Sequence, residues 1–229
     1  MRIAFAFTVF AFTAPALTHM IDPIPGNPAA ARRAPLQARS NKTVEEILDA
    51  ACGLLGNVPF EQITTSRIAA EAGISVGALY RFYTDRQEIF DAIAVRELEA
   101  FREEIERAFS ARQLIFSPRK SLGRVLDAYV AFLESRPHFR ELALGNHISE
   151  RVRESQTNPE TGPGGILGDL LVKKCGWKPG KKLQLRIRIA AEVGDRVIAF
   201  AYRQDTLEAR NAVLKELKEM LTGYLLKVG

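Results

Sequence analysis

The stretch from Thr64 to Tyr83 constrains the fold more than any other part of the chain. It sets two helix starts and one helix stop so close together that two short helices meeting at a steep angle satisfy them best. Within Ile68-Ala69-x-x-Ala72-Gly73-Ile74-Ser75 each residue type has a physical reason. Ala69 is small where the two helices must approach. Gly73 can take the left-handed conformation that ends a helix, and Ile74 plugs the turn. Thr64 and Ser75 carry side-chain oxygens that can cap the backbone N–H groups orphaned at each helix start. Leu79 and Tyr83 return to the core, which leaves Val76, Gly77, Ala78, Tyr80 and Arg81 on a short outward ridge. A ridge of that size fits a DNA major groove, about 12 Å wide. The spacing predicts a helix-turn-helix that binds duplex DNA.

The flanking text is helical as well. Thr43-x-x-Glu46 forms a capping box, with Val44, Ile47, Leu48, Ala51, Leu54 and Leu55 following at helical spacing. Gly56 to Gln62 reads as a turn, with Phe60 and Ile63 as apolar plugs. Asp85-x-x-Glu88 is a second capping box, opening a long helix through Ile89, Ile93, Leu98, Phe101 and Ile105. Beyond Ser110, Pro118 starts a helix to Ser135, Pro137 punctuates, and another runs from about Phe139 to Arg153. Two loops, Ser155 to Gly165 and Gly176 to Gly180, isolate a short helix near Ile166 to Cys175. Helices over Lys181–Arg203 and Thr206–Lys227 close the chain. No strand-period run and no internal repeat is present. The fold class is therefore all-α, with a three-helix helix-turn-helix domain at 43–93 and a larger helical domain at 94–229.

Composition narrows the class without naming a partner. Of 229 residues, 47% are hydrophobic and 26% charged, as in an ordinary packed protein. A formal charge of +5 permits a polyanionic partner but does not demand one. Cys52 and Cys175 stand in no CxxC or metal-ligand spacing, which suits two buried reduced thiols in a reducing compartment. The first twenty residues pair Arg2 with an apolar run from Ile3 to Phe12 and the small-residue stretch Ala14-Pro15-Ala16, imitating an export signal. Three readings stay open: a signal, a short anchor, or a true start at Met20, which the DNA-binding text favours. Ile21 to Lys42 is expected to be a flexible arm, so residues 1–42 form a leader. Its Arg32, Arg33, Arg39 and Lys42 could reach phosphates or a minor groove.

Two blocks, ILDAACGLL from Ile47 and ITTSRIAAEAGISVGALYRFYTDRQEIF from Ile63, make residues 43–93 resemble the DNA-binding domain of the tetracycline-repressor (TetR) family of bacterial regulators. The resemblance implies that Thr65 and Ser66 stand at the DNA-facing start of the second helix and that Tyr80 contacts a phosphate. Arg86 matches the family's usual Lys, another phosphate contact. Ser75 opens the reading helix, and base reading would fall to Val76, Gly77, Ala78 and Arg81, whose planar donor fork suits guanine or phosphate. Two departures stand out. Phe82 replaces a polar residue near the backbone, and Pro59 replaces a Gly in the first loop.

The resemblance also implies that the C-terminal helices bind a small-molecule effector whose arrival releases DNA, and that the protein acts as a homodimer on a near-palindromic operator. Tyr129, Phe132, Phe139 and His147 lie on helices that would line the effector cavity; Asp195 and Arg196 are charges inside an apolar helix, where burial demands a partner. Lys173, Lys174, Lys178, Lys181, Lys182, Arg186 and Arg188 form a basic run that reads as solvated surface or, more sharply, as a seat for an anionic effector such as an acyl thioester of a nucleotide cofactor. From Ile187 to Tyr202 apolar residues cover more than one stripe, so one face can serve the chain's own core and another a partner. Ala190, Gly194 and Ala201 are expected to let a partner helix approach, with Val213, Leu214, Leu217, Leu221, Tyr224 and Leu225 as the matching stripe of the last helix.

An exported or membrane-attached binding protein is the alternative if the N-terminal segment is a signal. An enzyme is not expected. His19, His138 and His147 have no catalytic or metal spacing, and neither a Gly-rich phosphate loop nor GxSxG occurs. The expectation is a cytoplasmic, nucleoid-associated repressor without cofactor, metal or membrane contact.

Overall fold

A computed structural model describes residues 28–110, 117–156, 168, 171–172 and 176–227. Among these the chain is helical and contains no strand. The first helix, α1, runs from Pro28 to Asn57. It begins well before the Thr43 capping box, so Thr43 lies inside a helix and residues 28–42 are not an irregular arm. Ala29, Ala30, Ala31, Arg32 and Arg33 are strong helix formers, and Pro28 is tolerated at a first turn. The export-like segment falls outside the described residues.

From Glu45 onward the chain forms one unit by its internal contacts. Ile47, Leu48, Ala51, Leu54 and Leu55 turn one face of α1 inward, together with Ile63, Ile68, Ala69 and Leu79. A 3-10 turn at Phe60–Gln62 leads to α2, Thr65–Glu71, and α3, Val76–Leu79. Both short helices start as the sequence predicts. Thr64 Oγ1 accepts from the Arg67 N–H at 3.2 Å, and Ser75 Oγ from that of Ala78 at 3.1 Å. Such caps contribute about 1 kcal/mol each. Gly73 has φ +68°, while the Ile74 N–H bonds Ala69 O at 3.0 Å and the Gly73 N–H bonds Ala70 O at 3.2 Å. That pair of bonds is the Schellman closure of a helix, which favours glycine at its left-handed residue.

Helix α4, Arg86–Ser110, opens on the second capping box in a shifted form. Asp85 Oδ1 accepts from the Glu88 N–H at 2.9 Å, and Glu88 Oε2 reaches back to the Thr84 N–H at 2.7 Å. Among the described residues α5, Pro118–Ser135, α6, Pro137–Leu144, α7, Glu150–Gln156, and α8, Lys181–Ala201, follow. The last, α9, is Leu207–Leu226, capped by Thr206 Oγ1 on the Ala209 N–H at 3.1 Å. The helix expected near Ile166 to Cys175, with Lys173, Lys174 and Cys175, lies mostly outside the described residues.

The larger domain is organised around α8 and α9, which pack along one another. Leu183, Ile187, Ala190 and Trp177 meet Leu225 of α9 and Leu122 of α5 in one apolar cluster. Ala190, Gly194 and Ala201 are buried in the chain's own interior, and a Cβ on Gly194 would meet Leu221 Cδ1 at 3.8 Å. The small residues thus serve α9 of the same chain, not a partner as expected. An intrachain helix neighbour uses the same close-approach chemistry, so the pattern alone does not tell the two apart.

Candidate DNA interface and effector pocket

The ridge expected from the sequence is formed by α3 and the start of α2. Tyr80 is 51% exposed, and its hydroxyl shares a hydrogen bond of 3.1 Å with that of Thr65. This bond ties the C-terminal end of α3 to the N-terminal end of α2 on an open surface. Ser66, Ser75, Gly77 and Arg81 are exposed, while Val76 and Ala78 are half-buried. Gly77 has no atom within 4 Å of the place a Cβ would occupy, and its φ is not positive. Neither backbone conformation nor packing inside the chain therefore asks for glycine there.

Arg86 is placed differently. Its Nη1 donates to the carbonyl oxygens of Ile63, at 2.9 Å, and Phe60, at 3.4 Å, and the guanidinium lies over the Phe60 ring. The side chain pins the 3-10 turn to the start of α4. A flexible Lys could not spread over two carbonyls and a ring in this way.

His147 is likewise drawn into the seam. Its ring stacks on Phe60 at 3.5 Å between centroids, and burial lowers its pKa. The neighbouring Gln87 Nε2 donates to His147 O at 2.8 Å and to Asp91 Oδ1 at 3.0 Å. Asp91, buried on α4, accepts from the Ser149 N–H at 3.0 Å and from Ser149 Oγ at 2.5 Å. Ser149 precedes α7, so the helix that leaves the DNA-binding domain also holds the α6–α7 turn. His147 thus packs against Phe60 of the turn that precedes α2.

Phe132 and Phe139, each 1% exposed, are not open to a ligand. With Phe101 they form an edge-to-face stack, at 5.1 and 5.8 Å between successive centroids. A triad of this kind stabilises the core of the domain. Tyr129 and Asp195 behave otherwise. Tyr129 rests edge-on against Phe101 at 5.2 Å, keeps partial exposure, and its hydroxyl makes no hydrogen bond among the described residues. Burial raises its phenol well above the ordinary value, and the Asp195 charge adds to this. Asp195 on α8 is exposed, yet burial pushes its carboxyl up to about 6. Arg153 of α7 and Arg196 oppose the rise, and Glu192 adds to it.

Outside both places lies a charged knot that the sequence did not announce. Glu97, buried on α4, accepts from Arg136 Nε at 2.9 Å and pairs with His138 Nε2 at 3.0 Å. Burial works against its charge, but the His138 hydrogen bond and the charges of His138, Arg96 and Arg136 win, lowering its pKa. Arg96 Nη2 lies 3.2 Å from Cys52 Sγ, and Nη1 bonds Glu45 and Asp49 at 3.1 and 3.0 Å. Hydrogen bonds to Cys52 and then to Glu97 push His138 up to about 9. Cys52 is a free, half-buried thiol, not a fully buried one. Its members come from three segments, 45–52, 96–97 and 136–138, tens of residues apart, and the signal available in the sequence was only an acid within an apolar stripe.

On the far face of α8, Leu185, Ile189 and Phe200 are exposed apolar side chains, with Met220 exposed on α9. They stand opposite the buried Ile187, Ala190, Gly194, Ile198 and Ala201. Lys178, Lys181, Lys182 and Arg188 of the basic run are exposed, whereas Arg186 donates to Tyr224 O and covers its ring. No group of His, Cys, Asp and Glu among the described residues could hold a metal ion. No helix there is long and apolar enough to cross a membrane.

Comparison with known proteins places both regions. Residues 47–93 match the family described as bacterial regulatory proteins, tetR family, and residues 117–228 match the tetracyclin repressor-like C-terminal domain. The chain is 30% identical over 115 residues to the nucleoid occlusion factor SlmA of Colwellia psychrerythraea, an alignment covering 47% of this chain and 54% of that protein. It spans about half the length of the curated relatives it matches. Among solved structures, a TetR-family transcriptional regulator from Streptomyces coelicolor is similar with a TM-score of 0.64 and 28% identity, over 82% of this chain and 99% of that one. FadR of Bacillus subtilis, solved in complex with stearoyl-CoA, shares the fold with a TM-score of 0.60 at 16% identity, over 79% of this chain and 98% of that one.

Proposed function

The chain belongs to the tetR family of bacterial regulatory proteins, and from that premise we propose that it is a transcriptional repressor that leaves its operator when a small molecule binds the C-terminal domain. The observation that carries the reading is the ridge of α2 and α3. Its Thr65–Tyr80 hydroxyl pair is exposed, and Gly77 stands on it with open space at its Cβ position. Tyr80 and the Thr65–Ser66 start of α2 position the protein on phosphates, and Val76, Gly77, Ala78 and Arg81 meet base edges. Arg86 acts on DNA only indirectly, by holding the turn before α2.

One four-residue reading helix covers few base pairs, so specificity needs a second copy and a near-palindromic site with half-site centres about 34 Å, or a multiple, apart. The second copy docks on α8 and α9 of the Lys181–Arg203 and Thr206–Lys227 segments, through Leu185, Ile189 and Phe200 rather than through the small residues. The protein works on the bacterial nucleoid in the cytoplasm, without catalysis of its own. Selection of bound sequences from random duplex DNA tests the proposal. Enrichment of a two-half-site motif, with log affinity falling about 0.9 per phosphate contact against log salt, is the expected result. Equal affinity for selected and random duplexes overturns it.

A further inference from the structure

His147 follows the end of α6 in a turn that leaves it little freedom. Asn146 takes the left-handed conformation, with φ 65°, and the His147 N–H bonds Leu142 O at 3.1 Å, the long bond of a Schellman closure. Gly145 has an ordinary helical φ of −75°, yet a Cβ there would run into the His147 ring and Glu141 O. Space for the ring, rather than backbone conformation, therefore asks for glycine. Gln87 Nε2 of α4 holds His147 O at 2.8 Å.

The ring so delivered lies flat on Phe60, with 10° between the planes and 3.5 Å between centroids. Phe60 opens the 3-10 turn that leads through Ile63 and the Thr64 cap into α2. The same ring is tilted against Phe90 of α4, 4.8 Å away, and has the Arg86 guanidinium 5.0 Å from its centroid. Arg86 Nη1 meanwhile bonds the carbonyls of Phe60 and Ile63. Phe60 is thus gripped from α4 and, independently, from the α6–α7 turn of the C-terminal domain. Burial lowers the His147 pKa, Glu141 and Glu61 oppose the shift and Arg86 adds to it, so the uncharged ring prevails at pH 7.5.

The segment that Phe60 opens needs such support. Helix α2 has seven residues and α3 four, and isolated helices shorter than about 12 residues are marginal in water. Resting on the regulatory reading above, we propose that His147 is a positioning residue for DNA binding: through its stack on Phe60, the α6–α7 turn holds the segment entering α2 in the orientation that presents Thr65 and Tyr80 to DNA. Without the stack the free chain samples other orientations, and affinity falls with the competent fraction. An aromatic stack shifts such an equilibrium by roughly two- to tenfold.

Two arms test this on the full chain at pH 7.5 and 15 °C, with circular dichroism confirming that each variant is folded. In the DNA-free arm, amide hydrogen exchange of His147→Ala is faster than wild type by about threefold or more at residues 60–72 and unchanged in α8 and α9. In the DNA arm, fluorescence anisotropy on the selected duplex shows His147→Ala weaker by roughly two- to tenfold. His147→Phe, which keeps a neutral ring on Phe60, restores both exchange and affinity. Because His147 acts through Phe60, adding His147→Ala to Phe60→Leu costs less than about twofold more. Unchanged exchange at residues 60–72, acceleration spread evenly over the chain, full-strength DNA binding by His147→Ala, no restoration by His147→Phe, or additive losses in the double variant overturns the proposal. If no duplex is selected, the operator reading fails, and the exchange arm still decides whether His147 holds the turn.

Discussion

Gly77→Ala separates folding from DNA binding in a single methyl group. The new Cβ meets nothing within 4 Å, and the backbone at Gly77 is not in the left-handed region. Alanine is favoured over glycine by about 1 kcal/mol in a helix interior, partly through the unfolded chain. Gly77 is the second residue of a four-residue helix, so roughly half of that gain is expected. For a chain of this size about 0.5 kcal/mol raises the melting temperature by roughly 1–2 °C. On the DNA side the same methyl stands on the ridge and holds the backbone of α3 off the groove. Loss of one good base contact costs about 1–3 kcal/mol, and each 1.4 kcal/mol is tenfold in affinity. Calorimetric melting and fluorescence anisotropy on the selected duplex measure the two effects in one preparation. A variant that melts higher and binds DNA at full strength would remove Gly77 from the interface. One that melts lower would refute the packing argument.

Tyr80→Ala weakens binding to selected and random duplex alike, whereas Arg81→Ala alters preference at one base position; competition titrations on single-base variants distinguish them, and an unchanged profile for Arg81→Ala assigns it to phosphate or solvent. Phe200→Glu places a charge on the exposed face of α8 and yields monomers in sedimentation equilibrium without loss of helix, while Gly194→Arg instead lowers the melting temperature of the chain itself; a dimeric Phe200→Glu would remove that face from the interface. His138 has a folded pKa raised to about 9 from an ordinary value near 6.5, so its contribution is complete below pH 6.5 and is lost as pH rises towards 9. Urea midpoints should fall across that interval, and His138→Gln should flatten the fall; equal slopes for both proteins would show that the Glu97 knot does not depend on the imidazolium.

The parts legible in the sequence are those whose physics is local. A cap needs one oxygen three residues before an orphan N–H, and Thr64, Ser75 and Asp85 each satisfy that over a few bonds of chain. The Schellman closure at Gly73 is equally local. The helix-turn-helix is therefore written almost letter by letter. The Thr43 box failed for the same reason in reverse, because a box marks where a helix could start and does not stop one already running from Pro28.

What the sequence could not carry is the choice among residues of one kind. Phe132, Phe139 and Tyr129 all stand on inward faces of helices, and only burial in the folded chain separates the two sealed phenylalanines from the half-buried Tyr129, although Phe132 and Tyr129 both pack edge-on against Phe101. Arg86 has the charge for a phosphate, yet in the fold its Nη1 is taken up by the carbonyls of Phe60 and Ile63 at the two ends of the 3-10 turn. Gly194 and Ala190 have the size for a helix crossing, and α9 of the same chain reaches them first. In each case residue type fixes the kind of contact and long-range closure decides the partner.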